Sequence, residues 1–209
     1  MARKKTLRYS DNKLTELEYS ILESFFPEAN EMTINKIMER CGYSYERVNT
    51  SLKELENKKI VKSKKVGKTL VYIADYFNLY LKLAFYHYMT ERKIEFGNKY
   101  LLIFKSMKEI SGGVLGIILL FGSYSKGGET KSSDIDIMVV SNHLKQIEER
   151  INKIKSTRGY NIALANIKIT EFPKIKKENP ELWTDLKNYA IVFNGQDTYY
   201  HWMYQYANN

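Results

Sequence analysis

A single cysteine, Cys41, stands among the 209 residues. It has no partner for a disulfide within the chain, and a cysteine-rich zinc site is excluded by the same count. Long apolar runs are also missing. The longest, Gly113 to Gly122, falls well short of the roughly 20 residues that a helical membrane span requires. The N-terminal stretch MARKKTLRYSDNK is basic, but no apolar segment follows it, so no secretory signal is expected. The histidines show no metal-ligand spacing. His87 falls in an aromatic helix, His143 opens another and His201 sits in a tyrosine-rich tail, where packing or surface roles suffice. Internal repeats and low-complexity linkers are absent as well. Together these absences lead to the expectation of a soluble, cytoplasmic protein with no membrane partner.

What is present is a folding composition, with 44% hydrophobic and 13% aromatic residues, enough for one large domain or two small ones. A net charge of +9 points to a polyanionic partner, either nucleic acid or nucleotide.

Apolar residues from Leu14 to Phe26 recur at helical spacing, with Asp11 or Asn12 as cap and Pro27 as stop. Glu31-Met32-Thr33 leads into the short helix INKIMERC, with Ile34, Ile37 and Met38 on one face and Gly42 ending it. Ser44 is placed to cap a third helix whose apolar stripe is Val48, Leu52 and Leu55. Two β-prone runs then flank a turn at Val66-Gly67-Lys68. Three helices followed by a basic hairpin form the pattern of a winged helix-turn-helix. Its third helix presents Tyr45, Arg47, Asn49 and Lys53 outward, the element that enters a major groove. The hairpin adds Lys62, Lys64, Lys65 and Lys68 in a stretch free of acids, which suits phosphate contacts to double-stranded DNA. A lysine-rich surface for protein contacts is the alternative.

From Tyr76 to about Lys99 an aromatic-rich segment reads as one long helix, a connector or a homodimerisation element, followed by a helix at Tyr100–Ile110. Strands then interleave with helices: strands at 114–121, 135–140, 161–170 and 190–193, helices at 143–156 and 172–189, the last broken at Pro180. The expected class is α+β, with a winged helix over 1–75, a helical connector over 76–111, and a domain over 112–209 built on a mixed β-sheet flanked by helices. The closing stretch DTYYHWMYQY reads as core or interface.

Within that last domain, LFGSYSKGGETKSSDIDIMVV sets two carboxylates inside an apolar strand. Strand alternation turns Asp134 and Asp136 to one face and Ile135 and Ile137 to the other. Carboxylates about 7 Å apart on one face repel. A divalent cation such as Mg²⁺, which takes a few carboxylates plus substrate phosphates, is the natural compensation. Upstream, Gly122 allows close backbone approach and Ser123 offers a hydroxyl and an N–H to a phosphate, while Lys126 and Lys131 neutralise charge.

Gly-Ser, ten residues, Asp-x-Asp resembles the signature of the polymerase β-type nucleotidyltransferase superfamily, closest to its minimal nucleotidyltransferase branch. The resemblance covers roughly Val114 to Gly195. It implies that Gly122 and Ser123 hold an NTP, ATP first among them, and that the catalytic Asp134 and Asp136 bind Mg²⁺, as one ion or two. It also implies transfer of a nucleoside monophosphate with loss of pyrophosphate. Many members add a third carboxylate on the strand after the helix. The matching strand, Asn161 to Thr170, has no acid; Asn166 is expected near that position, and Glu171 lies just past it. The resemblance further implies a small helical partner protein. The resulting expectation is a nucleotidyltransferase acting on a protein or nucleic-acid acceptor, coupled to a DNA-binding winged helix. A non-catalytic nucleotide-binding regulator or antitoxin-like protein stands beside it, and so does a nucleic-acid-modifying enzyme that holds its substrate with the winged helix.

Overall fold

Thr15 opens the first helix through a reciprocal cap. Its hydroxyl accepts from the Glu18 N–H at 3.2 Å, and its own N–H donates to Glu18 Oε2 at 2.7 Å. The computed structural model describes residues 13–28, 31–142 and 144–206, so the expected caps Asp11 and Asn12, and His143, lie outside the described residues. Compact packing divides the chain into two units, Met1–Ala84 and Phe85–Asn209.

In the first unit, α1 (Glu16–Glu23), α2 (Ile34–Cys41) and α3 (Tyr45–Asn57) enclose Ile21, Leu22, Phe25, Ile37, Val48, Leu52 and Leu55, all fully buried. Gly42 ends α2 in the left-handed conformation, φ 73°, as its position implies. Ser44 takes the N-cap place of α3 but makes no side-chain capping bond. Of the expected apolar face of α2, only Ile37 is buried. A three-stranded antiparallel sheet follows, in the order β1 (Met32–Thr33), β3 (Thr69–Ala74), β2 (Val61–Val66). Two residues, Gly67 and Lys68, turn the hairpin between Val66 and Thr69. Glu18, only 3% exposed, meets Lys58 Nζ at 2.6 Å, so its buried charge is both capped and paired.

The helix α4 (Leu79–Lys99) crosses the division between the units. In the second unit, α5 (Leu101–Ser111) precedes β4 (Ile117–Phe121), a short helix α6 (Gly122–Lys126), β5 (Ile135–Val140), α7 (Lys145–Arg158) and β6 (Ile162–Ile167). A single turn α8 (Ile175–Glu178), α9 (Pro180–Tyr189), β7 (Ile191–Asn194) and α10 (Gln196–Tyr200) complete it, the last running on as a π-helical turn at His201–Gln205. The sheet order is β6-β5-β4-β7, with β5 and β6 parallel and the other pairs antiparallel, the mixed sheet expected from the alternation of elements. Period-2 burial sends Ile135, Ile137, Val139, Ile118 and Leu120 into one core with Met107, Ile110, Ile147, Ile151 and Ile154 of α5 and α7. The opposite face is covered by α9 and α10, which pack on β4. The tyrosine-rich tail is core: Tyr199, Tyr200, Met203 and Tyr204 are buried, and three of their rings lie 5.1–6.2 Å from Phe85. Arg92 ties down the end of α9, donating to the carbonyls of Tyr189 at 2.7 Å and Ala190 at 3.1 Å. No described helix is long and apolar enough to cross a membrane.

Phe85 is the anchor of that aromatic cluster. Phe85→Ala is expected to cost about 3–5 kcal/mol of unfolding free energy, measured by denaturant titration.

Candidate functional site

Phe121 ends β4 opposite Asp136 of β5, and the chain then turns at Gly122 with φ 71°. Glycine is required there twice. The backbone conformation disfavours any Cβ, and a Cβ on Gly122 would lie 2.0 Å from Asp136 Oδ2 and 2.8 Å from its Cγ. The carboxylate of Asp136 therefore lies directly against the backbone of the Gly-Ser turn. Ile135 and Ile137, 3% and 0% exposed, anchor β5 from the other face. Asp136 itself is half-buried and Asp134 exposed. Burial pushes the Asp136 carboxyl above the ordinary aspartate range, and the charge of Asp134 pushes it further the same way. The two acids thus form one electrostatic unit, as their spacing predicts.

Ser123 sits half-buried in the first turn of α6, and Gly127 closes that helix at φ 73°. Ser125 Oγ donates to the Gly122 carbonyl at 3.0 Å, which braces the turn. Lys126 is held by α9: its Nζ meets Asp185 Oδ2 at 2.6 Å and lies 5.2 Å from the centre of the Tyr189 ring. Lys131 is exposed in the loop before β5. That loop is bound at two points. The Thr130 N–H donates to Ser133 Oγ at 2.9 Å, and Glu129 faces Lys99 at 3.3 Å.

The position beside the acid pair on β6 is Ala163, paired with Asp136 in the parallel register. This corrects the expectation for Asn166. Asn166 pairs with Val139, three residues along, and an odd offset turns it to the opposite face. There its amide donates to Glu148 Oε1 of α7 at 3.1 Å. No cluster of three or more His, Cys, Asp or Glu suited to a metal occurs among the described residues. Two carboxylates that interact electrostatically beside the Gly122 turn nevertheless form a donor set that fits a hard divalent cation.

In the first unit, Tyr45, Arg47 and Lys53 of α3 are exposed and Asn49 half-buried, while Val48, Leu52 and Leu55 face inward. The Arg47 guanidinium stacks 4.6 Å from the Tyr43 ring centre. Lys62, Lys64, Lys65 and Lys68 are all exposed on the hairpin, with Lys64 paired to Glu31. The partners Asp185, Tyr189 and Lys99, and the place of Ala163, were outside the reach of sequence reasoning. The first three pairings join distant segments, and the last depends on strand register.

Two family models match the chain. Residues 102–191 match the nucleotidyltransferase domain, and residues 14–93 match the penicillinase repressor. No curated protein and no solved structure matches it.

Because the folded Asp136 carboxyl titrates above its unfolded value, its favourable contribution is complete at low pH and lost as pH rises through the raised value. Asp136→Asn is therefore expected to raise the melting temperature of the metal-free protein at neutral pH. The gain shrinks as pH falls toward the ordinary aspartate value of 3.8, a comparison made by calorimetry in a chelating buffer.

Proposed function

On the premise that the chain joins a repressor-type winged helix at 14–93 to a nucleotidyltransferase domain at 102–191, we propose that it is a Mg²⁺-dependent enzyme. It moves the nucleoside monophosphate of an NTP, ATP first, to a protein or nucleic-acid acceptor in the cytoplasm while its winged helix holds double-stranded DNA. The observation that supports this reading is the contact of the Asp136 carboxylate with the Gly122 backbone, which brings one acid of the pair against the Gly-Ser turn. Asp134 and Asp136 would hold the divalent cation. Bound there, the metal supplies charge neutralisation for the acceptor oxygen and for the departing pyrophosphate.

The chain's own groups have separable roles. The Gly122 turn lets the triphosphate approach the backbone, and Ser123 contributes a hydroxyl and an N–H to it. Lys126 and Lys131 offset phosphate charge. As the acceptor oxygen bonds to the α-phosphorus, the bond to pyrophosphate breaks and the acceptor proton leaves. Ala163 provides no base beside Asp136, so this proton passes to solvent or to a group on the acceptor.

Incubation with labelled ATP and Mg²⁺ in cell extract is expected to label an acceptor, and Asp134→Asn combined with Asp136→Asn to abolish it; labelling that survives the double substitution sinks the assignment. Ala163→Asp restores an acid at the vacant register position and is expected to raise transfer about tenfold or more, within the range of general-base catalysis. Tight NTP binding without transfer to any acceptor would instead favour the nucleotide-sensing regulator.

The winged helix is tested separately. Lys64→Glu with Lys65→Glu is expected to weaken duplex binding similarly for all sequences and to reduce the salt slope by about two, read from gel shifts across a salt series.

A further inference from the structure

A recess lies in the nucleotidyltransferase unit, lined by none of the residues of the acid pair or the Gly-Ser turn. It has a volume of about 430 Å³ and is bounded by Lys93 and Ile94 of α4, Phe104 and Lys108 of α5, and Phe193 and Asn194 of β7. That size suits a small organic ligand. Asn194 pairs with Ile118 of β4, three residues before Phe121, whose partner is Asp136. The recess and the acid pair are thus separated by about 10 Å of strand.

Its lining is of two kinds. Phe104 and Phe193 set their rings 5.7 Å apart, and Ile94, 49% exposed, stands at the mouth. Against this apolar surface stand two ammonium groups. Lys108 Nζ lies 5.8 Å from the Phe104 ring centre. Lys93 is half-buried, and burial alone holds its ammonium below the ordinary lysine range. Among the described residues neither lysine forms an ion pair. A partly desolvated cation without a counter-charge is unfavourable, and an incoming anion removes that cost.

We propose that this recess binds a small organic anion with an aromatic or aliphatic body, its acidic group taken by Lys93 and Lys108 and its apolar part by Phe104 and Phe193. The site is independent of nucleotide transfer and stands or falls separately from it.

The test titrates the full chain with anilinonaphthalene sulfonate, followed by fluorescence, beside phenylnaphthylamine, the same ring system without the acid. Saturable binding of one sulfonate per chain is expected. Lys93→Met and Lys108→Met should each weaken it about tenfold, the size of a lost charge-assisted hydrogen bond, with the neutral amine little changed. Ile94→Glu, at an exposed position outside the core, should weaken the sulfonate by repulsion and leave the amine unaffected. Thermal melts establish that each variant is folded, and Mg²⁺-ATP in excess should leave the probe bound. Absence of saturable binding, equal affinity in all three variants, or displacement of the probe by Mg²⁺-ATP overturns the proposal.

Discussion

The close approach between the Gly122 backbone and the Asp136 carboxylate is the constraint from which the rest of the site follows. A side chain of any size at Gly122 would occupy the space of Oδ2, so the turn and the acid are defined together. Their meeting depends on the antiparallel register that sets Phe121 against Asp136. That register depends in turn on burial. Sliding β5 by one residue would send Ile135 and Ile137 out of the core and bring both acids into it, an outcome the hydrophobic term forbids. The apolar residues of β5 are therefore as much a part of the site as its carboxylates.

The same contact has an electrostatic consequence. Burial, and after it the charge of Asp134, raise the Asp136 carboxyl above its ordinary value, and its partner on β6 is Ala163, which carries no charge to offset this. Ionised, the carboxyl costs the free protein some stability, a conflict common where function and folding make different demands. The position beside it on β6 is an alanine, so that strand position offers no group to share the proton.

Much of this was legible in the order of residues. The end of α2 follows from a glycine stop, and β5 from an apolar run, Ile135 to Val140, interrupted only by Asp136. The acid pair and the Gly-Ser turn are near in sequence and readable there, while their contact comes from the pairing of β4 with β5. Other features were illegible for definite reasons. Gly122 to Lys126 reads as a loop because its small residues lack helical periodicity, yet the left-handed turn at Gly122 lets the chain start a short helix at once. Asn166 was expected near the acids, but β6 pairs in a register that a single sequence does not encode, and a three-residue offset put it on the α7 side. The cap of α1 is Thr15 rather than a residue further upstream because Glu18 can reciprocate it. Lys126 and Asp185 are 59 positions apart, and only the packing of α6 beside α9 joins them.

That last pairing bears on how the proposed site would respond to its surroundings. Asp185 already occupies Lys126 as a resident anion, and both groups are well exposed, so the pair is held weakly. A triphosphate reaching Lys126 would replace one negative group by another and would release little of the ionic atmosphere at that point. In this sense the lysine works as an ion exchanger rather than as a bare attractor. Nucleotide affinity would consequently vary less with ionic strength than a count of nearby lysines implies, while duplex binding by the exposed lysines of the hairpin, of which Lys64 is paired to Glu31, would keep the steep salt dependence of polyelectrolytes. Within one chain, a rise in salt would then loosen the grip on DNA well before the grip on nucleotide.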